Sequence, residues 1–148
     1  MTAHWDHPAP FVVEHRVQPE EIDELGHVNN VHYLDWLQRC AWEHSAAVGY
    51  DVQQMRTVDR AMVVKEVRMH YLRATHAGDV LLIGDWLVAN DGRLRATRRF
   101  QILRENDDVT VMRAEIDYVC IEVSSGRPKR MPPEFTRAYE VAATTARD

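Results

Sequence analysis

Cysteine is scarce: Cys40 and Cys120 are the only two in 148 residues, and no CxxC or Cys/His ligand spacing surrounds either. That argues against a disulfide framework and a zinc site. Two buried, reduced thiols in a cytoplasmic protein are the expectation. Long apolar runs are also missing, so no segment reads as a bilayer-spanning helix and no membrane association is expected. The first ten residues lack a basic stretch followed by an apolar one, so no secretory signal is read there. Basic residues are the minority, 18 against 23 acidic, for a formal net charge of -5. Nucleic acid is therefore not expected as a partner, because phosphate binding needs a net basic surface. No glycine-rich phosphate loop occurs, which argues against nucleoside-triphosphate chemistry. The eight histidines include no HExxH pair, and no metal is expected.

What is present suits one globular domain, residues 1–148. Hydrophobic residues make up 45% and charged residues 28%, enough to bury a core at this length. Residues 1–10, with Pro8 and Pro10, read as a loose arm. Phe11 to Val17 reads as a strand ended by Pro19. After a polar turn, Tyr33, Trp36, Leu37, Cys40, Ala41, Ala47 and Val48 recur near a helical period. Asn29 and Asn30 are natural N-caps and Gly49 a C-cap, and the broad stripe predicts a helix buried on most sides. Residues 51–60 read as a polar connection. Four strands follow, Ala61–Leu72, Val80–Ala89, Arg93–Arg104 and Val109–Val123, separated by Ala77-Gly78-Asp79, Asn90-Asp91-Gly92 and residues 105–108. Pro132 and Pro133 open a short helix through Tyr139, and residues 140–148 read as a frayed tail. The expected fold is α+β, a mostly antiparallel five-stranded sheet with one long apolar helix packed on it. Wrapped around that helix, the sheet makes the hotdog architecture.

The densest cluster of chemistry-bearing residues stands just before the long helix: Asp23, Gly26, His27-Val28-Asn29-Asn30 and Tyr33. It resembles the acyl-CoA thioesterases of the 4-hydroxybenzoyl-CoA thioesterase-like hotdog superfamily. A second match is Tyr71-Leu72-Arg73 followed by Gly78-Asp79; the family usually has Pro after that Arg, where this chain has Ala74. The resemblance covers nearly the whole chain and places Asp23 on the family's catalytic Asp. Physics gives the same residue a plausible role, since free amides at a helix N-terminus favour an ionised carboxylate. Such a group can attack a thioester carbonyl or activate a water. A turn or cap role is the structural alternative.

The developing oxyanion needs fixed donors. Candidates are the amides around Asn29 to Val31 and, by a gapped comparison with the family, the backbone amide near Ala61. His27 is a second catalytic candidate, as a substrate-positioning or proton-shuttling group, with a turn histidine as the equal alternative. The trio of Asp, Asn and His that works together in plant acyl-carrier thioesterases is incomplete, because Leu25 stands where the Asn would be. Asn30 and Tyr33 are positioning candidates, balanced by a helix cap and by core packing. Coenzyme A carries phosphates, and Arg93 and Arg95, read as alternate residues on one strand face, are its candidate contacts. No cofactor is expected, coenzyme A being part of the substrate. Two other readings stay open, a hotdog dehydratase or hydratase and a non-catalytic acyl-thioester-binding protein. The resemblance further implies a homodimer, or a tetramer of dimers, with Asp23 working beside the Ala61 region of the neighbouring chain.

Overall fold

The computed structural model describes residues 3–142. Five strands form one antiparallel sheet: β1 (Phe11–Arg16), β2 (Arg60–Tyr71), β3 (Val80–Asn90), β4 (Arg95–Arg104) and β5 (Val109–Glu122), in the order β1-β3-β4-β5-β2. Helix α1 (Asn30–Ala47) lies across its inner face. Two short helices, α2 (Val52–Val58) and α3 (Pro133–Ala138), close one end. The fold is hotdog, as the order of apolar segments implies.

Alternation decides which side chains meet α1. Ile83, Phe100, Ile102, Met112, Ala114 and Ile116 point inward and are all buried. They pack against Tyr33, Trp36, Leu37, Cys40 and Ala41 of α1 in one continuous core. The Asn29 side chain accepts from the Val31 amide and caps α1, and Gly49 just past its end holds φ +101°. α1 buries one face rather than most of its circumference. Trp42 remains 48% exposed and Val31 64% exposed, so the broad apolar stripe is not all spent within this chain.

Residues 51–60 are not a plain connection. Asp51 caps α2 by accepting from the Gln54 amide at 2.8 Å, and Asp59 ends it in the left-handed conformation. Val52, Met55 and Val58 carry the helical spacing that the charged neighbours mask, and Met55 is buried. α3 brings Phe135 and Tyr139 onto Leu87, Ala96, Cys120 and Met131 in a second core. Burial pushes the Cys120 thiol up to about 11, and Cys40 is higher still for the same reason. Both thiols are free and buried.

The arm over residues 3–10 has no regular structure, yet it is not loose. It lies on the outer face of the sheet. Asp6 pairs with Arg113 at 2.6 Å, and its amide donates to Gln101 Oε1 at 2.8 Å. The Trp86 indole donates to the Pro8 carbonyl at 3.0 Å, and Trp5 meets Trp86 edge to face. The sequence places acceptors and rings in the arm, but only the sheet supplies their partners. Gly84 is the seat: a Cβ built there would stand 2.5 Å from the Trp5 ring. Gly84→Ala should therefore lift Trp5 off the sheet and lower stability by about 1–3 kcal/mol, the usual effect of overpacking. Thermal denaturation reads the loss, and faster amide exchange over residues 4–7 reads the release. Trp5→Ala removes the same contact, so the double variant should be about as stable as either single one. Of the tail expected to fray, Ala142 still donates to the Leu87 carbonyl at 2.8 Å, and residues 143–148 lie outside the described residues.

Further along the outer face, Arg68 bridges Asp117 and Glu115, and Arg99 pairs with Glu115. The hydrogen bond from Arg68 holds the Asp117 carboxyl below its ordinary value. Burial alone would raise Glu115; the two guanidiniums outweigh it and lower it.

Candidate active site

A short 3-10 turn, Pro19–Glu21, leads into the loop before α1. Glu21 fastens that loop. Its carboxylate accepts from the Trp36 indole at 2.8 Å and the Gln18 amide at 2.8 Å, and it contacts His15 Nε2 at 2.9 Å. Burial alone would raise Glu21; these partners together hold it below the ordinary range. The loop then closes on itself, because the Asp23 amide donates to the His27 carbonyl at 2.9 Å and the Gly26 amide to the Asp23 carbonyl at 3.0 Å. Gly26 supplies the positive φ of +82° that this reversal needs.

Asp23 is half-buried at the start of the reversal. Its Oδ1 accepts from the Leu25 amide at 2.9 Å, an Asx turn that aims the carboxylate. Oδ2 takes no hydrogen bond from any described residue. The turn role and the catalytic role are thus compatible: one oxygen orients, the other remains unspent.

Beside the loop is an open cavity of about 220 Å³, lined by His27, Val28, Asn30, Tyr33, Tyr71 and Arg73 among others. His27 is exposed and meets His76 edge to face, with ring centroids 5.3 Å apart. Tyr33 is buried, and its hydroxyl lies 2.6 Å from Thr75 Oγ1. Burial raises that hydroxyl above its ordinary range despite the Thr75 bond. Tyr33 serves core and cavity at once.

The start of α1 offers an electrophilic contact. The Asn29 amide donates to the Glu21 carbonyl, and the Val31 amide is taken by the Asn29 side chain. Asn30 lines the cavity, and its amide has no acceptor among the described residues. Of the three amides in question, it is the one left for a ligand oxygen.

Within one chain Ala61 lies apart from this constellation. It sits at the opposite end of β2 from Tyr71, roughly 30 Å away at about 3.3 Å per strand residue. There it lines a separate cavity of about 290 Å³ with Trp42, Met62 and Val64. The two arginines also part company with their expected face. Strand β4 begins at Arg95, and Arg93 falls in the turn before it. The cause is Asp91, whose Oδ1 accepts from the amides of Arg93, Leu94 and Arg95 and folds that stretch into the turn. Both arginines are exposed, but alternation does not align them.

The model of the thioesterase-like superfamily matches residues 17–139 of this chain. The chain belongs to the thioesterase-like superfamily. Membership covers the Asp23 loop, α1 and all of the sheet from β2 to β5. Among its relatives, the long-chain acyl-CoA thioesterase FadM of Escherichia coli (strain K12) is 26% identical over 125 residues, which are 84% of this chain and 93% of FadM. In fold, this superfamily member is similar to the 1,4-dihydroxy-2-naphthoyl-CoA thioesterase Slr0204 of Synechocystis. The TM-score is 0.78 and the identity 19%, over 88% of this chain and 96% of that one. It is similar also to the protein SAV2348 of Staphylococcus aureus, solved in complex with CoA. There the TM-score is 0.84 and the identity 16%, over 98% of this chain and 92% of that one. Family and relative together support thioester hydrolysis. No helix among the described residues is long and apolar enough to cross a membrane.

One polar cluster of this superfamily member escaped the motif reading. Asp85, 1% exposed, pairs with Arg98, 4% exposed, at 2.8 Å. Arg98 also donates to Ser45 Oγ at 3.0 Å and to His44 Nδ1 at 2.7 Å. Burial alone would make Arg98 easier to deprotonate; the Asp85 carboxylate outweighs it. The signal in the sequence is a lone carboxylate inside Leu81-Leu82-Ile83-Gly84-Asp85-Trp86-Leu87, a strand otherwise without charge. Such a group needs a buried partner.

Proposed function

We propose that this protein hydrolyses an acyl-CoA thioester to the free acid and coenzyme A, with Asp23 as its catalytic carboxylate. The observation that supports the reading is an oriented carboxylate in the loop before α1 and a free amide at the start of that helix. Asp23 keeps an unspent Oδ2, and Asn30, which lines the neighbouring cavity although Asp23 does not, has an amide without an acceptor among the described residues. A thioester carbonyl oxygen bound to that amide is polarised where negative charge develops. Asp23 then adds to the carbonyl carbon, expelling the thiolate to leave an acyl-aspartyl anhydride that water cleaves. Alternatively it takes a proton from a water that adds in its place. Either route yields one acid and one thiol. His27, on the same wall, is suited to holding the substrate or passing the thiol its proton.

The second part of the proposal is that two copies share each site. Strand β2 is an edge strand, bonded only to β5, and open edges invite pairing. Around it stand exposed apolar side chains, Trp42, Val64, Tyr71 and Leu72. Antiparallel pairing of two β2 edges sets the Tyr71 end of one copy, with its Asp23 loop, beside the Ala61 end of the other. It is this pairing that joins the two cavities. Light scattering should give a dimer or a multiple of it. A strictly monomeric protein with full activity would remove the shared site while leaving Asp23 chemistry in place. Arg93 and Arg95 are assigned to coenzyme A phosphates as an exposed basic pair.

The direct test is thiol release from a panel of acyl-CoAs. Turnover of at least one ester supports hydrolysis. Tight binding of the panel without turnover would instead favour a binding protein.

A further inference from the structure

The loop that carries Asp23 has two limbs, and they are held differently. The leaving limb runs straight into α1, and its Val28 amide donates to the Thr75 carbonyl at 3.2 Å. On the entering limb, which holds Asp23, Ile22 packs against the core while partly exposed, a contact without direction. The directional tie is the Glu21 side chain, two residues before Asp23. Donors occupy both of its carboxylate oxygens. The Trp36 indole of α1 bonds Oε2, and the Gln18 amide and His15 Nε2 bond Oε1. At the same residue the Asn29 amide donates to the Glu21 carbonyl at 3.1 Å and closes the base of the loop.

His15, on β1, is set for this contact. Its ring centroid lies 4.6 Å from that of Trp36, and its Nδ1 stands 3.3 Å from Arg39 Nη2. A guanidinium only donates, so Nδ1 accepts and Nε2 carries the proton given to Glu21. The side chains of His15 and Glu21 are 12% and 13% exposed, and Trp36 is buried. An ionised carboxylate so far from water is costly unless it is paired. An amide is no substitute, because whichever way a Gln turned, its NH2 group would meet an N–H donor.

We propose that Glu21 is a positioning residue for the hydrolysis: held by Trp36 and His15, it fixes the limb from which Asp23 meets the thioester. The inference rests on the hydrolysis reading above and extends the machinery to a group that never touches substrate. The bond from the Leu25 amide orients the Asp23 carboxylate within its own loop. Glu21 orients that loop against α1, where the Asn30 amide stands. Both alignments matter, because a displacement of about 1 Å in a reacting group can reduce a rate about a hundredfold.

The test measures kcat and KM for thiol release in Glu21→Gln and in Trp36→Phe, which removes the indole donor and keeps an aromatic ring. Each should lower kcat by about tenfold to a hundredfold and leave KM within about twofold, the mark of an interaction that matters in the transition state. Assays run well below the Tm of each variant keep loss of folded protein out of the rate. If Glu21→Gln does not fold, Trp36→Phe decides by the same reading. In an Asp23→Asn background, followed by single turnover with enzyme in excess, Glu21→Gln should take nothing more from the residual rate, since its effect passes through Asp23. Wild-type kcat in folded Glu21→Gln, or the same fold loss with and without the Asp23 carboxylate, overturns the inference. If wild type hydrolyses no ester, or Asp23→Asn keeps full turnover, the hydrolysis reading fails by itself. Amide exchange at Leu25, whose N–H is bonded to Asp23 Oδ1, then decides the role of Glu21. Faster exchange in Glu21→Gln upholds its grip on the Asp23 loop, and unchanged exchange overturns it.

Discussion

Asp23→Asn should reduce thiol release by about a thousandfold or more in kcat, with little change in KM, because it removes charge and nucleophilicity from the reacting position alone. The substitution is unusually clean here. Asp23 Oδ1 accepts from the Leu25 amide at 2.9 Å, and an Asn side-chain oxygen accepts in the same place, so the Asx turn survives. The loop is also held independently of this side chain, by Glu21 on Trp36 and by the backbone bond from Asp23 to His27. Stability should therefore stay within about 0.5 kcal/mol of wild type. A variant with near-normal turnover would return Asp23 to a turn residue and move the chemistry to His27 or to a bound water. Single turnover in isotope-labelled water separates the two routes. Label recovered in the Asp23 carboxylate marks direct attack on the thioester.

Arg98→Met should lower stability by about 3–5 kcal/mol, because it leaves Asp85 buried without this cation. Asp85 is 1% exposed, and its Oδ1 is already without a donor among the described residues. Removing Arg98 also takes a donor from Ser45 and from His44. Tm should fall by roughly 10 °C or more for a domain of this size. The companion change Asp85→Leu in the same chain should recover most of the loss, since an apolar pair of similar volume often matches a buried ion pair. Urea denaturation of the two single variants and the double variant measures the coupling. Near-wild-type stability in Arg98→Met would mean that Asp85 is held by something other than Arg98.

The contrast between these two carboxylates shows how far a sequence can be read. Asp23 is legible because its neighbours are local. Gly26, His27, Asn29, Asn30 and Tyr33 all lie within ten residues of it, and capping and turn chemistry act over short stretches of this kind. The α1 boundaries, the hairpin at Asn90-Asp91-Gly92 and the strand alternation are legible for the same reason. Helix α2 was equally local, with Asp51 as cap and Met55 as the buried anchor, but its charged flanks disguised the spacing.

Asp85 marks the other limit. Its chain neighbours are apolar, and its partners come from elsewhere in the fold: Arg98 across the β3–β4 pairing, and His44 and Ser45 bound to that arginine from α1. Nothing near it in sequence names them. The arm over residues 3–10 is a similar case, because its tie to the sheet depends on Gly84 leaving room for Trp5 and on Arg113 meeting Asp6.

The sequence by itself determined the hotdog order of elements, the catalytic candidate and the thioesterase-like relationship, because each is written in short-range patterns of polarity and turn residues. The tertiary structure alone decided that Ala61 lies at the far end of β2 from Asp23, that the Asn30 amide is the one left unspent, and that Asp85 meets Arg98 in a buried ion pair. Those depend on strand register and on the packing of α1 over the sheet, which bring together residues that no local pattern connects.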